Sequence, residues 1–353
     1  MKIAITGENG FLGYHLTQYY KWIKEYEVVS LGRNYLDNID KLADCDLLIH
    51  CAGVNRGDDV YNGNVNLAKD LVEALTNNNI SIQIKFTSST QEDLGNEYGN
   101  SKLEAKRILS EYCKQVGKKF ESYKLPNLFG PFGKPYYNSF VATFCHNVVN
   151  GFDIQSNENQ VALCYVQDAV ETIVYQSGHV HNYPTTSISV NDVRKLIETF
   201  HKNYDEEGII TQISDKFSKD MFNTYRSYRE PKVFDFTKHT DDRGSLVELV
   251  RGKGSESHVF FSTTKPGVTR GNHFHFGKVE RFCVLSGKAN VQMRKVGTDQ
   301  VLSFDIEGGS SVIDMPILYT HNLTNTGDTE LVCVFWVNEV FDKENPDTYF
   351  NVV

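Results

Sequence analysis

No stretch of this chain approaches the roughly 20 apolar residues that a membrane-crossing helix needs, and there is no excess of positive charge. The 353 residues hold 36 Lys and Arg against 45 Asp and Glu, a formal net charge of −9. Nucleic acids and anionic membrane surfaces call for a basic face, so both are excluded as partners. Internal repeats and low-complexity tracts are absent. The seven cysteines include no Cys-x-x-Cys pair. They read as reduced thiols of a cytoplasmic protein, and Cys45, Cys51 and Cys283 lie in apolar runs where packing is their role. Met1-Lys-Ile-Ala-Ile5 reads as a strand and not as a signal sequence. A chain of this length can bury two cores, so two domains are expected.

The strand at Met1–Ile5 runs into Thr6-Gly7-Glu8-Asn9-Gly10-Phe11-Leu12-Gly13, followed by a helical pattern through Tyr20. Glycines at 7, 10 and 13 form a Gly-x-x-Gly-x-x-Gly variant of the dinucleotide fingerprint. They allow a tight turn, close approach of the backbone to a pyrophosphate, and packing of helix on strand. The next strand, Glu27 to Arg33, ends without the acidic residue that holds the ribose hydroxyls of NAD. Arg33 there favours the extra phosphate of NADP. Asp46–Gly53 reads as a buried parallel strand ending in the small residues Ala52 and Gly53.

Ile84–Ser89 is a further strand, ending in hydroxyls. Tyr98-Gly-Asn-Ser-Lys102 then opens a helical pattern through Tyr112. Tyr98 and Lys102 are four apart and share a helix face. A nearby ammonium is expected to lower the phenol pKa, making Tyr98 a usable proton donor or acceptor. A serine at the strand end can hold a reacting carbonyl oxygen.

Together these residues resemble the extended short-chain dehydrogenase/reductase family, over roughly the first two-thirds of the chain. The resemblance implies a doubly wound parallel α/β Rossmann-like sheet. Ser89, Tyr98 and Lys102 take the triad positions, with Ser88 and Thr90 as neighbours open to confusion. Gly7, Gly10, Phe11, Leu12, Gly13, Arg33, Ala52, Gly53, Tyr98, Lys102 and Leu125 would border NADPH. Lys124–Pro131 is similar to the family's segment beside nicotinamide and sugar, with Lys124 where Arg is usual, and places Asn127 on the substrate. Val166-Gln-Asp168 resembles the family's late Val-x-Asp strand end.

A second signal lies at residues 267–287. His273, His275 and Glu280 stand there, and His321 follows about one hairpin later. Three imidazoles and one carboxylate suit one divalent ion, zinc first and nickel or iron as alternatives. His273 and His275 are two apart, so on a strand they point to one face. The spacing Gly267-x5-His273-x-His275-x4-Glu280-x6-Gly287 resembles the first cupin motif. Residues 316–325 resemble the second, with Leu318 where Gly is usual. The implied fold is an all-β jelly roll, and Asp241–Glu248 is similar to its opening strand in sugar-epimerising cupins.

Pro231 should end the helical pattern of Ser214–Tyr228. The linker is therefore expected at Arg229–Lys238, dividing a reductase domain at 1–232 from a cupin domain at 239–353. A reductase followed by an epimerase-like cupin resembles the bifunctional enzymes of capsular-polysaccharide synthesis. That resemblance implies a homodimer acting on a UDP-linked 2-acetamido-2,6-dideoxy-4-hexulose, with C3 epimerised by the cupin and the C4 ketone reduced with NADPH. Lys278 and Tyr319 are the candidate epimerase bases. Two other readings stay open: a single activity beside a non-catalytic cupin, and a non-enzymatic NADP-binding regulator.

Overall fold

The apolar run Leu47–His50 is buried at all four positions, as a strand covered on both faces must be. It belongs to a sheet built in strand–helix alternation. Strand β1 (Lys2–Thr6) leads to helix α1 (Phe11–Trp22), then β2 (Glu27–Leu31), β3 (Leu47–His50), α2 (Val60–Asn77), β4 (Gln83–Ser89), α3 (Glu97–Gln115) and β5 (Phe120–Leu125). Next come β6 (Asn127–Phe129), α4 (Phe140–Asn150), β7 (Gln160–Tyr165), α5 (Val166–Tyr175), β8 (His179–Val180) and β9 (Thr186–Ser189). This computed structural model describes all residues except 232, 236–237, 242–243, 248–250, 253–257 and 340–343.

Six strands form a parallel sheet in the order β2-β1-β3-β4-β5-β8. The strand period of two sorts its side chains onto two faces. Ala4 and Leu48 join Leu71, Leu75, Leu109 and Tyr112 on one side. Ile3, Ile5, Leu47 and Ile49 join Leu16, Tyr19 and Ile173 on the other. The strand order reverses between β1 and β3, and a doubly wound sheet opens its ligand crevice at that point. β6, β7 and β9 make a small separate sheet. Val166 opens α5 instead of ending a strand, which places Asp168 in that helix's first turn.

The chain divides into two compact units, one of residues 1–143 and 156–191, the other of 144–155 and 192–353. This division falls before α6 (Val190–Phe200) has run its length, whereas the sequence puts the linker at Arg229–Lys238. Of that linker, residues 232, 236 and 237 lie outside the described residues, as do 242, 243 and 248 of the expected opening cupin strand. Helix α7 (Lys216–Arg226) is tied inside the second unit by buried polar groups. The Arg226 guanidinium donates to Asp314 at 3.0 Å and to the Met315 carbonyl, and the Tyr204 hydroxyl also donates to Asp314.

Beside two short pairings, Ile209–Ile210 with Arg251–Gly252 and Lys238–Asp241 with Gly244–Val247, two antiparallel five-stranded sheets make up most of the rest of the second unit. One orders Val233–Asp235, Ser311–Met315, Glu280–Ser286, Leu331–Val337 and His258–Thr264; the other orders Val301–Glu307, Lys288–Lys295, Tyr319–Asn325, Thr269–Phe274 and Tyr349–Phe350. Inward residues from both, among them Phe282, Val284, Met315, Val291, Met293 and Leu323, share one core. This is the expected jelly roll. Among the described residues no helix is long and apolar enough to cross a membrane.

Candidate active sites

At the switch point the glycines are required by space. Gly7 has φ +74°, and a Cβ on it would lie 2.8 Å from the Ala52 nitrogen. A Cβ on Gly13 would lie 2.1 Å from the Gly7 carbonyl oxygen, far inside contact distance. Gly10 donates to that same carbonyl at 2.9 Å and precedes α1 with no side-chain cap. The first N–H groups of α1, those of Phe11, Leu12 and Gly13, therefore have no capping side chain, and such groups bind a pyrophosphate. The Thr6 hydroxyl links the strand ends, bonding His50 Nδ1 at 2.8 Å and accepting from Ala52 N–H at 3.4 Å. Arg33 is exposed two residues beyond β2.

Asn64 of α2 holds the loop after β3. Its amide oxygen accepts from Val54 N–H at 2.9 Å, and its NH₂ donates to the Val54 carbonyl at 2.7 Å and to Ser101 at 3.0 Å. The loop carrying Ala52 and Gly53 is thereby fixed against α3. At the start of α3, Asn96 caps the Gly99 N–H at 2.7 Å. A Cβ on Gly99 would lie 1.9 Å from the Gln91 carbonyl oxygen. Only glycine lets α3 seat this closely, and that seating sets where Tyr98 stands.

Ser89 ends β4, and α3 packs on β4. The strand end and the first turn of α3 thus bring Ser89 and Tyr98 to one edge. Ser88 is buried and donates to Glu92, while the half-buried Ser89 accepts from Gln91 N–H at 3.2 Å. Ser89 is thus the hydroxyl better turned toward a ligand. Lys102 is buried, its ammonium 4.6 Å from the Phe86 ring centroid and 3.5 Å from where a Cβ on Gly53 would stand. Burial lowers its pKa to about 8. The expected lowering of the phenol does not occur. Burial, with the neighbouring Tyr137, pushes Tyr98 up to about 12. Leu125, at the end of β5, packs in the first unit's core, and Asn127 opens β6 with its side chain exposed.

In the second unit the ligand-type atoms of His273, His275, Glu280 and His321 all lie within 4.8 Å of one another. Donors about 2.1 Å from a tetrahedral ion stand about 3.4 Å apart, so the most widely spaced of these atoms would draw together around one. The four do not converge by strand alternation. The strand ends at Phe274, a bulge separates Gly271 from His273, and Glu280 comes from the other sheet. His321 pairs directly with His273 across strands. Three whole strands separate its own strand from the one that Glu280 opens, so it does not follow one hairpin later.

Two imidazoles are oriented through Nδ1, His275 on the Asp347 carbonyl at 2.5 Å and His321 on that of Tyr319 at 3.1 Å. His321 thereby offers its Nε2 lone pair inward, the usual arrangement behind a metal-bound histidine. His275 Nε2 lies 2.9 Å from Glu280. Burial drives His321 down to about 3 and lowers His273, while the imidazoles hold the buried Glu280 down to about 2; at His275 burial is outweighed by the hydrogen bond to Glu280, which raises it. Neutral imidazoles and an ionised carboxylate are the forms that bind a divalent ion; His273, Glu280 and His321 already favour those forms, and an ion would displace the proton that His275 shares with Glu280, so these residues fit one.

They line a cavity of about 500 Å³ with Lys278, Arg270 and Glu339 on its wall. The Lys278 ammonium donates to the Pro346 carbonyl at 2.7 Å. Tyr319 packs on the barrel core, and burial pushes its pKa up to about 12. Asn64, Gly99, Arg270, Glu339 and Asp347 carry no signal in sequence, because each acts through contacts distant along the chain.

Both parts of the chain match known protein families. Residues 3–188 match the NAD dependent epimerase/dehydratase family, and residues 239–349 match the polysaccharide biosynthesis C-terminal domain. The UDP-2-acetamido-2,6-beta-L-arabino-hexul-4-ose reductase of Pseudomonas aeruginosa is 34% identical over 99% of this chain and 98% of its own. The crystal structure of the capsular polysaccharide assembling protein CapF from Staphylococcus aureus is 32% identical, covers 100% of both chains and superposes with a TM-score of 0.59. The UDP-glucose 4-epimerase of Thermus thermophilus, solved with NAD, shares the N-terminal fold at a TM-score of 0.53 and 16% identity, covering 65% of this chain and 99% of its own. The chain is an enzyme that uses a nicotinamide cofactor, and it belongs to the NAD dependent epimerase/dehydratase family, with a polysaccharide biosynthesis C-terminal domain on the same chain.

Proposed function

We propose that the chain is a bifunctional nucleotide-sugar enzyme. Its substrate is a UDP-linked 2-acetamido-2,6-dideoxy-4-hexulose. The epimerase chemistry, inversion at C3, lies within residues 239–353. The reductase chemistry, NADPH-dependent reduction of the C4 ketone, lies within residues 1–232. The product is a UDP-2-acetamido-2,6-dideoxy-L-talose type sugar, on the path to UDP-N-acetyl-L-fucosamine for capsule or O-antigen. One observation carries this reading. A dinucleotide cradle with Ser89, Tyr98 and Lys102 shares its chain with the histidine–glutamate cavity, and full-length likeness to the P. aeruginosa reductase supports the substrate class.

Bound in the cradle, the nicotinamide supplies the hydride. Ser89 holds the C4 oxygen by a hydrogen bond, and Tyr98 gives that oxygen its proton. Asn127 borders the sugar, and Leu125 the nicotinamide. In the cavity His273, His275, Glu280 and His321 hold one divalent ion, zinc by donor type. Such an ion supplies positive charge where an enolate oxygen develops. Lys278 and Glu339 line the wall and can move the C3 proton; Tyr319, packed on the core, is the weaker candidate. Seven free thiols support a cytoplasmic location, and the resemblance supports a homodimer.

The test is incubation with substrate in deuterated water without NADPH. Deuterium should enter at C3, since that exchange needs only the cavity. No exchange would leave the barrel a binding module and the reductase the single activity. A second expectation concerns Arg33, which lies where the adenosine 2′-phosphate would be met. NADPH should bind more tightly than NADH, and Arg33→Ala should weaken NADPH by about 1.5–3 kcal/mol, the worth of one charge-assisted bond. Equal affinities for the two cofactors in the unmodified protein would remove Arg33 from the site.

A further inference from the structure

Asp347 stands 72 residues from His275 in sequence and bonds to it directly. Its backbone carbonyl takes the His275 Nδ1–H, which fixes the ring's orientation and turns Nε2 toward Glu280. Its carboxylate accepts three consecutive backbone N–H groups, from Phe276 (2.9 Å to Oδ1) and from Gly277 and Lys278 (2.9 Å each to Oδ2). Three successive amides on one carboxylate form an anion nest. These amides belong to the short loop joining His275, one residue past the strand Thr269–Phe274, to Glu280, which opens a strand of the other sheet. Asp347 itself is held at φ +40°, a left-handed conformation that a non-glycine residue keeps only when its surroundings impose it.

The neighbours of Asp347 extend the contact. The Pro346 carbonyl takes the Lys278 ammonium, and Tyr349–Phe350 pairs with the strand end at His273–Phe274. Asn351 donates to the Asn272 carbonyl at 2.7 Å, and Arg294 donates to the Asn351 side chain at 2.9 Å and to the Val352 carbonyl at 2.7 Å. The segment 346–352 is thus a strap across the ligand loop, and Asp347 is the point at which it grips.

We infer that Asp347 is a positioning residue for the divalent ion, setting the ion's affinity by holding His275 and Glu280 in ligating register. This inference rests on the reading of His273, His275, Glu280 and His321 as a metal centre. Asp347 touches neither ion nor substrate; it acts through His275 and the loop. In Asp347→Asn one acceptor oxygen becomes an NH₂, which then faces a backbone N–H and cannot bond it.

The experiment measures Zn²⁺ affinity by chelator competition on the full chain, for the unmodified protein, Asp347→Asn and Arg294→Ala. Arg294→Ala loosens the strap at its far end and leaves the Asp347 contacts in place. Asp347→Asn should bind Zn²⁺ about 10–100-fold more weakly, the usual effect of removing a partner behind a ligand. Arg294→Ala should lower the melting temperature and leave affinity within about 3-fold. Unchanged affinity in Asp347→Asn would overturn the inference, and so would equal losses in both variants, since the strap would then act only through stability. An unmodified protein that binds no Zn²⁺ would overturn the metal reading itself, and the inference with it. If Asp347→Asn does not fold, Asp347→Glu keeps the charge and displaces it by one methylene. It should show a smaller loss in the same direction, and undiminished affinity there is equally fatal.

Discussion

Tyr98→Phe should lower NADPH-dependent reduction on the order of 10²–10⁴-fold, the usual contribution of one positioned proton donor, and leave C3 exchange untouched. The phenol of Tyr98 is pushed up to about 12 by burial and the nearby Tyr137, so it remains protonated at neutral pH and can give its proton to the C4 oxygen. Lys102 is the group that titrates closer to working pH. Burial brings it down to about 8, so its charge is present below that pH and lost above it. If the ammonium orients cofactor or substrate beside the β3 loop, the rate of reduction should fall as pH rises through about 8. Single-turnover NADPH oxidation measures both effects. Full turnover in Tyr98→Phe would remove that residue from the chemistry.

The second large effect is expected at the histidine–glutamate centre. Purified protein never exposed to chelator should carry one divalent ion per chain by elemental analysis. His273→Ala leaves at most three protein ligands. Occupancy should drop, the second unit should melt at lower temperature, and C3 exchange should fall roughly 10²-fold or more, since an ion contributes several kcal/mol where an oxyanion develops. NADPH binding should survive, because the cradle has its own cores. Stoichiometric metal in His273→Ala, with full exchange, would show that His273 is no ligand.

The cradle was legible in sequence because its determinants are local. Gly7, Gly10 and Gly13 close one turn, and Tyr98 and Lys102 share one helix, so spacing alone places them. What spacing does not show is direction. Lys102 turns toward Gly53 and Phe86, and the phenol responds to burial instead of to the ammonium. The metal-type quartet was legible by residue type but not by mechanism. His273 and His275 converge through a bulge with Gly271 at φ +96° and Asn272 at φ +56°, and through Asp347 far along the chain. Neither has a period to detect. The helical pattern of Ser214–Tyr228 was readable too, but not its membership. That depends on Arg226 reaching Asp314 across 88 residues.

That reach decides where the chain can be cut. Asp314, Arg226, Arg281 and Tyr204 are all buried, and two of the four stand before residue 239. A fragment beginning at 239 would retain Asp314 and Arg281 while losing the guanidinium and the phenol bonded to Asp314. Leaving a buried polar group without its partner costs about 1–3 kcal/mol, and more for a charged one, a large part of the roughly 5–15 kcal/mol that keeps a domain folded. A fragment beginning near 192 keeps the whole network. The barrel and its two preceding helices therefore travel together, along with residues 144–155 of the same compact unit, and shuffling this barrel onto another reductase means carrying α6 and α7 along.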